Sequence, residues 1–143
     1  MNKWNRRSPL TGACAAIAVL ALLLVIYSVT GPVPMAGTKR ISIDVIYKDG
    51  SRDHYRITTE ARFLLDALKL IPDLKVEGTT SDEEGLLVTA VNGREADIQK
   101  GEAYWELFCN GEPASYGVSM QPIKDGEAYT FQYTKIQKKP DKT

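Results

Sequence analysis

Histidine and cysteine are scarce in this chain of 143 residues, and their scarcity excludes several kinds of chemistry. His54 is the only histidine, and the two cysteines, Cys14 and Cys109, lie in different parts of the sequence. Zinc sites are built from clustered cysteine and histidine ligands, and a nucleophilic cysteine needs a base beside it. Neither set can be assembled here. An internal disulfide of the folded part is excluded as well, because only Cys109 lies in it.

Other signatures of catalysis and metal binding are also missing. The sequence has no phosphate-binding glycine loop and no serine-centred nucleophile elbow, and the acidic run Asp82–Glu84 lacks the alternating ligands of an EF-hand loop. His54, between Arg52 and Arg56, is interpreted as a surface histidine of a strand, and Cys109 as a small buried hydrophobic residue. We therefore expect no catalytic residues, no metal site and no enzymatic activity.

Acidic residues are absent from the first 37 positions, which gives the chain an uneven charge distribution. All 18 acidic residues follow this stretch, whereas three of the 18 basic residues precede residue 10. An acidic folded part repels phosphate backbones, so we expect no nucleic acid partner. Residues 136–143 are interpreted as a basic, flexible, solvated tail. The basic residues at this end are Lys135, Lys138, Lys139 and Lys142.

Charge is also absent from residues 10–29, a run of twenty mostly apolar residues. A helix of that length spans roughly 30 Å, the thickness of a bilayer core. The basic residues Lys3, Arg6 and Arg7 favour a cytoplasmic location for residues 1–9. The sequence therefore predicts a single-pass signal-anchor helix in the cell membrane, with everything that follows on the extracytoplasmic side.

Two alternatives to an uncleaved anchor remain open. A cleaved signal peptide has a shorter apolar stretch, of about 7–15 residues, and a small-residue cleavage site, for which Ser28–Ala36 offers poor candidates. Lipidation at Cys14 would need an apolar stretch before the cysteine, and here most of it follows. Residues 30–39, with Pro32 and Pro34, are expected to form a linker, because proline cannot continue the helix.

The exported part begins with the pattern of a hairpin followed by a helix. Residues 41–48 alternate apolar and polar side chains and are rich in β-branched residues, which predicts a half-buried strand. Asp49-Gly50 predicts a type I′ turn into a return strand over 51–57. Thr58-Thr59-Glu60 predicts a capped helix start. An apolar stripe then predicts the buried helix face, formed by Ala61, Leu64, Leu65, Leu68 and Ile71.

Further strands are predicted after a long polar loop over residues 73–85. The strands cover 86–91, 104–109 and 128–133, and they are separated by turns at Asn92-Gly93, Asn110-Gly111 and Lys124–Gly126. Two strands, a helix and three or more further strands indicate an α+β domain. Aromatic residues concentrate here. Phe108, Phe131 and Tyr133 are expected to fill the core, whereas Trp105 and Tyr116 fit a core or a binding surface equally well.

The C-terminal half contains three short motifs, Ala103–Gly111 (AYWELFCNG), Ala114–Ser119 (ASYGVS) and Pro122–Gly126 (PIKDG). Through their combination the chain resembles, over about residues 40–135, the transcobalamin C-terminal-like domain family found in membrane-anchored bacterial surface proteins. The resemblance implies a small β-grasp-like domain, and kinship with the domain that covers cobalamin in vertebrate carriers. It suggests Tyr104, Trp105, Asn110 and Gly111 as ligand-binding residues, and Tyr116 is added because it lies where the strand pattern breaks.

Two functions are therefore expected for this extracytoplasmic domain. The first is a binding module for cobalamin or a similar corrinoid, which would be a non-covalent ligand and which a transporter partner would take up. The alternative is a protein–protein interaction module of a cell-surface complex, in which an exposed sheet edge pairs with another surface protein.

Overall fold

The structure, a computed structural model, describes residues 17–19, 21–22, 33–82 and 85–137. The chain divides into two units, Met1–Val33 and Pro34–Thr143. Within the described residues no helix is long and apolar enough to cross a membrane. The predicted anchor at 10–29 lies mostly outside the described residues, as do most of the predicted tail and residues 83–84. The membrane anchor stays a prediction.

The described part of the second unit is a mixed α+β domain dominated by strands in two sheets. One sheet has five strands in the order β2-β1-β8-β6-β7, and the other has three in the order β3-β4-β5. The elements are β1 (Lys39–Ile46), β2 (Arg52–Thr59), α1 (Leu64–Leu68), β3 (Val76–Ser81), β4 (Gly85–Val91), β5 (Arg94–Glu95), β6 (Ala103–Cys109), β7 (Glu112–Pro113) and β8 (Ala128–Lys135).

The strand β1 lies inside the larger sheet and confirms the predicted alternation. Ile41, Ile43 and Val45 are buried, while the residues between them face the other side. β1 pairs antiparallel with β2 and parallel with β8, so that Ile43 lies opposite Tyr55 on one side and Tyr129 on the other. The first and last strands of the domain are therefore neighbours.

The hydrophobic core lies between α1 and the inner face of the larger sheet. Phe131 is fully buried and Tyr133 packs against the core, as predicted. Phe108 is half-buried on the opposite face of β6, so its assignment to the core is wrong. The largest fully buried side chains are Tyr129, Phe131, Ile43, Leu64, Ile123, Val45, Val91 and Val118.

The predicted helix start at Thr58-Thr59-Glu60 is wrong, since Thr59 ends β2 and the helix begins at Leu64. No side chain caps α1. Instead, the backbone N–H groups of Leu64 and Leu65 donate to the carbonyls of Gln121 and Val118, at 2.9 and 3.0 Å. A distant segment thus supplies the acceptors that a cap would provide. The predicted apolar stripe nevertheless packs into or against the core.

The predicted loop over 73–85 is also wrong in part, because it contains β3. This strand pairs antiparallel with β4 from Val76 to Ser81, with a bulge between Glu77 and Gly78. Five of its six residues are exposed. β3 therefore shows no alternation of apolar and polar side chains, which is the signal by which strands are recognised in a sequence.

Two of the predicted turns have the expected backbone geometry and one does not. Asn92-Gly93 and Asn110-Gly111 have positive φ at both residues, as a type I′ turn requires. At Asp49-Gly50 only Gly50 has positive φ, so the type I′ prediction is wrong there. The Asp49 carboxylate accepts hydrogen bonds from the amide and hydroxyl of Ser51, at 3.0 and 2.6 Å, which favours a longer loop with Gly50 in the left-handed position.

Candidate functional site

The candidate site is a groove of about 440 Å³ beside β6. β4 contributes one wall, β6 forms the floor and the segment 113–120 forms the other wall. The groove is lined by Leu86, Leu87, Tyr104, Trp105, Glu106, Leu107, Pro113, Ala114, Ser115, Tyr116, Gly117 and Met120.

The groove exists because β6 is paired along only part of its outer side. β8 pairs with all of β6, from Ala103 to Cys109, whereas β7 pairs only with Phe108 and Cys109. Beyond β7, the amide of Ala114 donates to the carbonyl of Leu107 at 2.9 Å, and the chain then leaves the sheet. Within the described part of the chain, no strand pairs with the outer side of residues 103–107.

The far wall is attached to β4 by a side-chain hydrogen bond. The amide of Leu86 donates to the hydroxyl of Ser119 at 2.9 Å. Gly85 precedes it with a φ of +77°, and a Cβ built there would lie 2.5 Å from that hydroxyl oxygen. Glycine therefore permits the close approach of β4 to the segment that carries Tyr116 and Met120.

Trp105 belongs to the core as well as to the groove. Its side chain is 5% exposed, and its indole N–H donates to the carbonyl of Arg94 at 2.9 Å. It makes edge-to-face contacts with Tyr47 and Tyr133, with ring centroids 6.0 and 5.5 Å apart. Trp105 is thus a rigid, fully hydrogen-bonded wall whose small exposed part faces the groove.

Tyr104 and Glu106 give the groove a polar patch. The Tyr104 hydroxyl donates to the Glu106 carboxylate at 3.4 Å, and the Thr134 hydroxyl donates to the same oxygen at 3.1 Å. Burial and the Glu106 charge raise the pKa of Tyr104. The phenol therefore stays protonated at neutral pH. Its one hydrogen is donated to Glu106, so its oxygen remains free to accept a hydrogen bond from a ligand.

The groove brings together Tyr104, Trp105 and Tyr116, but not the other two predicted site residues. Asn110 and Gly111 form the turn between β6 and β7 and do not line the groove. The Asn110 side-chain oxygen accepts a hydrogen bond from the amide of Ala128 at 2.9 Å. The Asn110 side chain therefore stabilises the turn by hydrogen bonding to the first residue of β8.

Several groove residues escaped the sequence analysis, above all Leu87 and Met120. Leu87 is 44% exposed although it lies in a strand. A leucine at an outward position of β4 was the available signal, and it is a weak one because isolated exposed leucines are common.

The described residues include possible metal ligands and the Cys109 thiol. They contain no group of three or more histidine, cysteine, aspartate or glutamate side chains close enough to hold a metal ion. Cys109 is a free, half-buried cysteine, and burial raises the pKa of its thiol. The thiol is therefore protonated at neutral pH, which disfavours nucleophilic reactivity.

Comparison with known proteins gives a family and a fold. Residues 62–135 match the profile of the family described as "Domain of unknown function (DUF4430)". No curated protein matches the chain in sequence. A solved structure of a candidate metal binding protein from Ruminococcus gnavus ATCC 29149 is similar, with 25% identity and a TM-score of 0.59. The match covers 68% of this chain and 97% of that one.

Haptocorrin, solved in complex with Cbi (cobinamide), is similar in fold. The TM-score is 0.58 at 19% identity, and the match covers 77% of this chain. It covers only 28% of the haptocorrin chain, so most of that protein has no counterpart here.

Proposed function

The chain belongs to the family of domains of unknown function DUF4430, and we propose that its domain is a ligand-binding module whose groove beside β6 holds one side of a corrinoid. The observation that supports this proposal best is that three of the five predicted ligand-binding residues line the same groove. Its volume lies within the range of about 300–1,000 Å³ that is usual for small-molecule sites.

The lining of the groove suits such a ligand. Leucine, methionine and aromatic side chains supply apolar contact, and the Tyr104 hydroxyl and Glu106 carboxylate supply a few polar contacts. A corrinoid has an apolar macrocycle face and a rim of amide groups, which matches this combination. The likeness to haptocorrin in complex with Cbi adds support through the fold.

The proposed site covers only part of a corrinoid. The groove is open, and the chain matches little more than a quarter of haptocorrin. We expect weak binding by this domain alone, because a ligand covered on one side buries little of its surface. A transporter or another surface protein would complete the site. In this proposal the domain is extracytoplasmic, is anchored through residues 10–29 and acts without catalysis.

The proposal is tested by titrating the full chain in a neutral detergent with cobinamide and cyanocobalamin. Trp4 and Trp105 are the two tryptophans, so a Trp4→Phe variant makes the fluorescence report on Trp105 alone. We expect saturable quenching after correction for corrinoid absorption, confirmed by calorimetry. The absence of binding at high micromolar corrinoid would refute the proposal.

A matched pair of leucine substitutions identifies the site. Leu87→Ser removes an exposed apolar side chain from the groove, and Leu70→Ser removes one, 60% exposed, from outside it. We expect Leu87→Ser to weaken corrinoid binding by roughly tenfold, since burial of a leucine contributes about 1.5–3 kcal/mol when complete. Leu70→Ser should leave binding unchanged. Equal effects would place the corrinoid elsewhere.

A second candidate function is strand addition by a protein partner at the open side of β6. The carbonyl of Leu107 points to the open side of β6, where it accepts from Ala114. Backbone groups two residues apart in a strand point to the same side, so the amide and carbonyl of Trp105 also point to the open side. An extended peptide could pair with them. Amide hydrogen exchange distinguishes the two functions. A protein partner would slow exchange of the Trp105 amide by forming a new backbone hydrogen bond with it, whereas a corrinoid that contacts only side chains would leave this exchange unchanged.

A further inference from the structure

We propose that the outer face of the β1–β2 hairpin carries a second site, which binds a phosphate group through Arg40, Ser42, Arg56 and Thr58. These four side chains share one face because Arg40 lies opposite Thr58 and Ser42 lies opposite Arg56 in the antiparallel register. They surround a concavity of about 360 Å³ that also touches Gly126 and Glu127.

The two arginines lie on a diagonal of this four-residue square, and the described ion pairs involve neither guanidinium. Like charges at diagonal positions of two paired strands repel each other, and an anion bound between them offsets this repulsion. All four side chains can donate hydrogen bonds. The square is therefore a set of hydrogen-bond donors that includes two cationic groups, which is complementary to an anion.

Two carboxylates beside the square, those of Asp125 and Glu127, already have other hydrogen-bond partners. An oxygen of Asp125 accepts a hydrogen bond from the backbone amide of Arg40 at 2.7 Å. An oxygen of Glu127 accepts from the amide of Lys124 at 2.8 Å and from the hydroxyl of Tyr129. Both acids accept hydrogen bonds in or beside the turn before β8, and the described ion pairs join neither of them to an arginine.

Arg56 is held in position by its neighbours on the same face. Its Nε–H donates to Nε2 of His54 at 3.1 Å, and Nδ1 of His54 lies 2.6 Å from a carboxylate oxygen of Asp44. These two bonds fix the plane of the guanidinium and engage only its Nε–H. A pre-oriented guanidinium loses less conformational entropy on binding.

The chemistry of the square favours phosphate over carboxylate. A guanidinium forms paired hydrogen bonds with two oxygens of one phosphate, and a tetrahedral phosphate has further oxygens for a second arginine and for hydroxyls. At pH 7 a phosphate monoester carries a charge of about −1.5 to −2, which matches two arginines better than a single carboxylate does. The phosphate could belong to a free phosphate ester or to a lipid headgroup.

This site is independent of the corrinoid groove. β8 separates β1 from β6 in the sheet, and no residue lines both the square and the groove. Failure of corrinoid binding would therefore leave the phosphate proposal intact, and failure of phosphate binding would leave the corrinoid proposal intact.

The test is a titration of the full chain in neutral detergent with inorganic phosphate and with dihexanoyl phosphatidic acid, followed by calorimetry and by NMR of the arginine Nε–H groups. We expect saturable binding, weakened about tenfold or more by either Arg40→Gln or Arg56→Gln, since each removes charge-assisted hydrogen bonds. Arg52→Gln is the matched control, because Arg52 is exposed on the same face of β2 but outside the concavity.

Both ligand sources would support the site, and their relative affinities identify the natural one. Tighter binding of phosphatidic acid than of inorganic phosphate indicates a lipid headgroup, and equal or weaker binding indicates a free phosphate ester. The proposal is overturned if neither ligand binds. It is also overturned if Arg52→Gln weakens binding as much as Arg56→Gln does, because the effect would then be general surface charge. Circular dichroism of each variant verifies that it is folded.

Discussion

The two Asn-Gly turns provide a sharp test of how the domain is held together. Asn92 and Asn110 both adopt positive φ, at 48° and 52°, and each is followed by a glycine of positive φ. Replacement of either by glycine keeps the turn conformation accessible and changes the unfolded chain in the same way. Any difference between the two variants therefore reports on the asparagine side chains.

The side chains differ in the number of hydrogen bonds they make. The amide nitrogen of Asn92 donates to the hydroxyls of Tyr47 and Tyr55, at 2.8 and 3.0 Å. Its oxygen accepts from the amide of Lys75 at 2.8 Å. The Asn110 side chain has the one bond from Ala128 described above. At about 1 kcal/mol for each bond, we expect Asn92→Gly to cost about 3 kcal/mol and Asn110→Gly about 1 kcal/mol.

The assay is urea unfolding of residues 34–143, followed by far-UV circular dichroism, with the free energy of unfolding extrapolated to water. The expected difference of about 2 kcal/mol exceeds the usual error of such extrapolations between closely related variants. Equal destabilisation by the two substitutions, or a larger loss for Asn110→Gly, would show that the hydrogen bonds of the Asn92 side chain do not stabilise the domain.

Two further predictions concern pH and a strand contact. Burial and the hydrogen bond to Asp53 raise the pKa of Tyr47 from about 10 to about 12, so the folded state keeps a proton that the unfolded state loses. The free energy of unfolding should be undiminished below pH 10 and fall as the pH rises to 12. Urea unfolding at several pH values should show a smaller fall for Tyr47→Phe. An unchanged pH profile in this variant would contradict the prediction. A Cβ at Gly78 would lie 2.1 Å from the carbonyl oxygen of Leu87. Gly78→Ala should therefore cost about 1–3 kcal/mol and speed amide exchange in β3 and β4. Normal exchange in Gly78→Ala would refute the steric argument.

The parts of the fold that could be predicted from sequence are those specified by local patterns. β1 was recognisable by its alternating isoleucines and valine, and the type I′ turns by their Asn-Gly pairs. The start of α1 was not, because its acceptors come from Val118 and Gln121, far along the chain. The strand β3 was missed because it is exposed on both faces and is specified by its pairing with β4.

The residues of the candidate site likewise include some that could be predicted from local sequence and some that could not. Tyr104, Trp105 and Tyr116 were recognisable as aromatic residues in a familiar motif, and they meet in one groove. Leu87 and Met120 could not be assigned, since their place in the groove depends on how β4 and the segment 113–120 approach β6. The outward square of Arg40 and Arg56 depends on the register of β1 and β2, which is set by the exact length of the loop at Gly50.

The parallel pairing of β1 with β8 determines how the domain would resist a pulling force. β1 is entered at Lys39 and β8 is left at Lys135, and the two strands run in the same direction side by side. Tension between these points pulls the strands past each other, so the backbone hydrogen bonds from Ser42 to Gln132 bear the load together and cannot open one at a time. Such shear loading gives a high barrier to forced unfolding, which is governed by the unfolding rate. A domain pulled at Lys39 and Lys135 should therefore withstand more force than a domain whose end strands are peeled apart one hydrogen bond at a time.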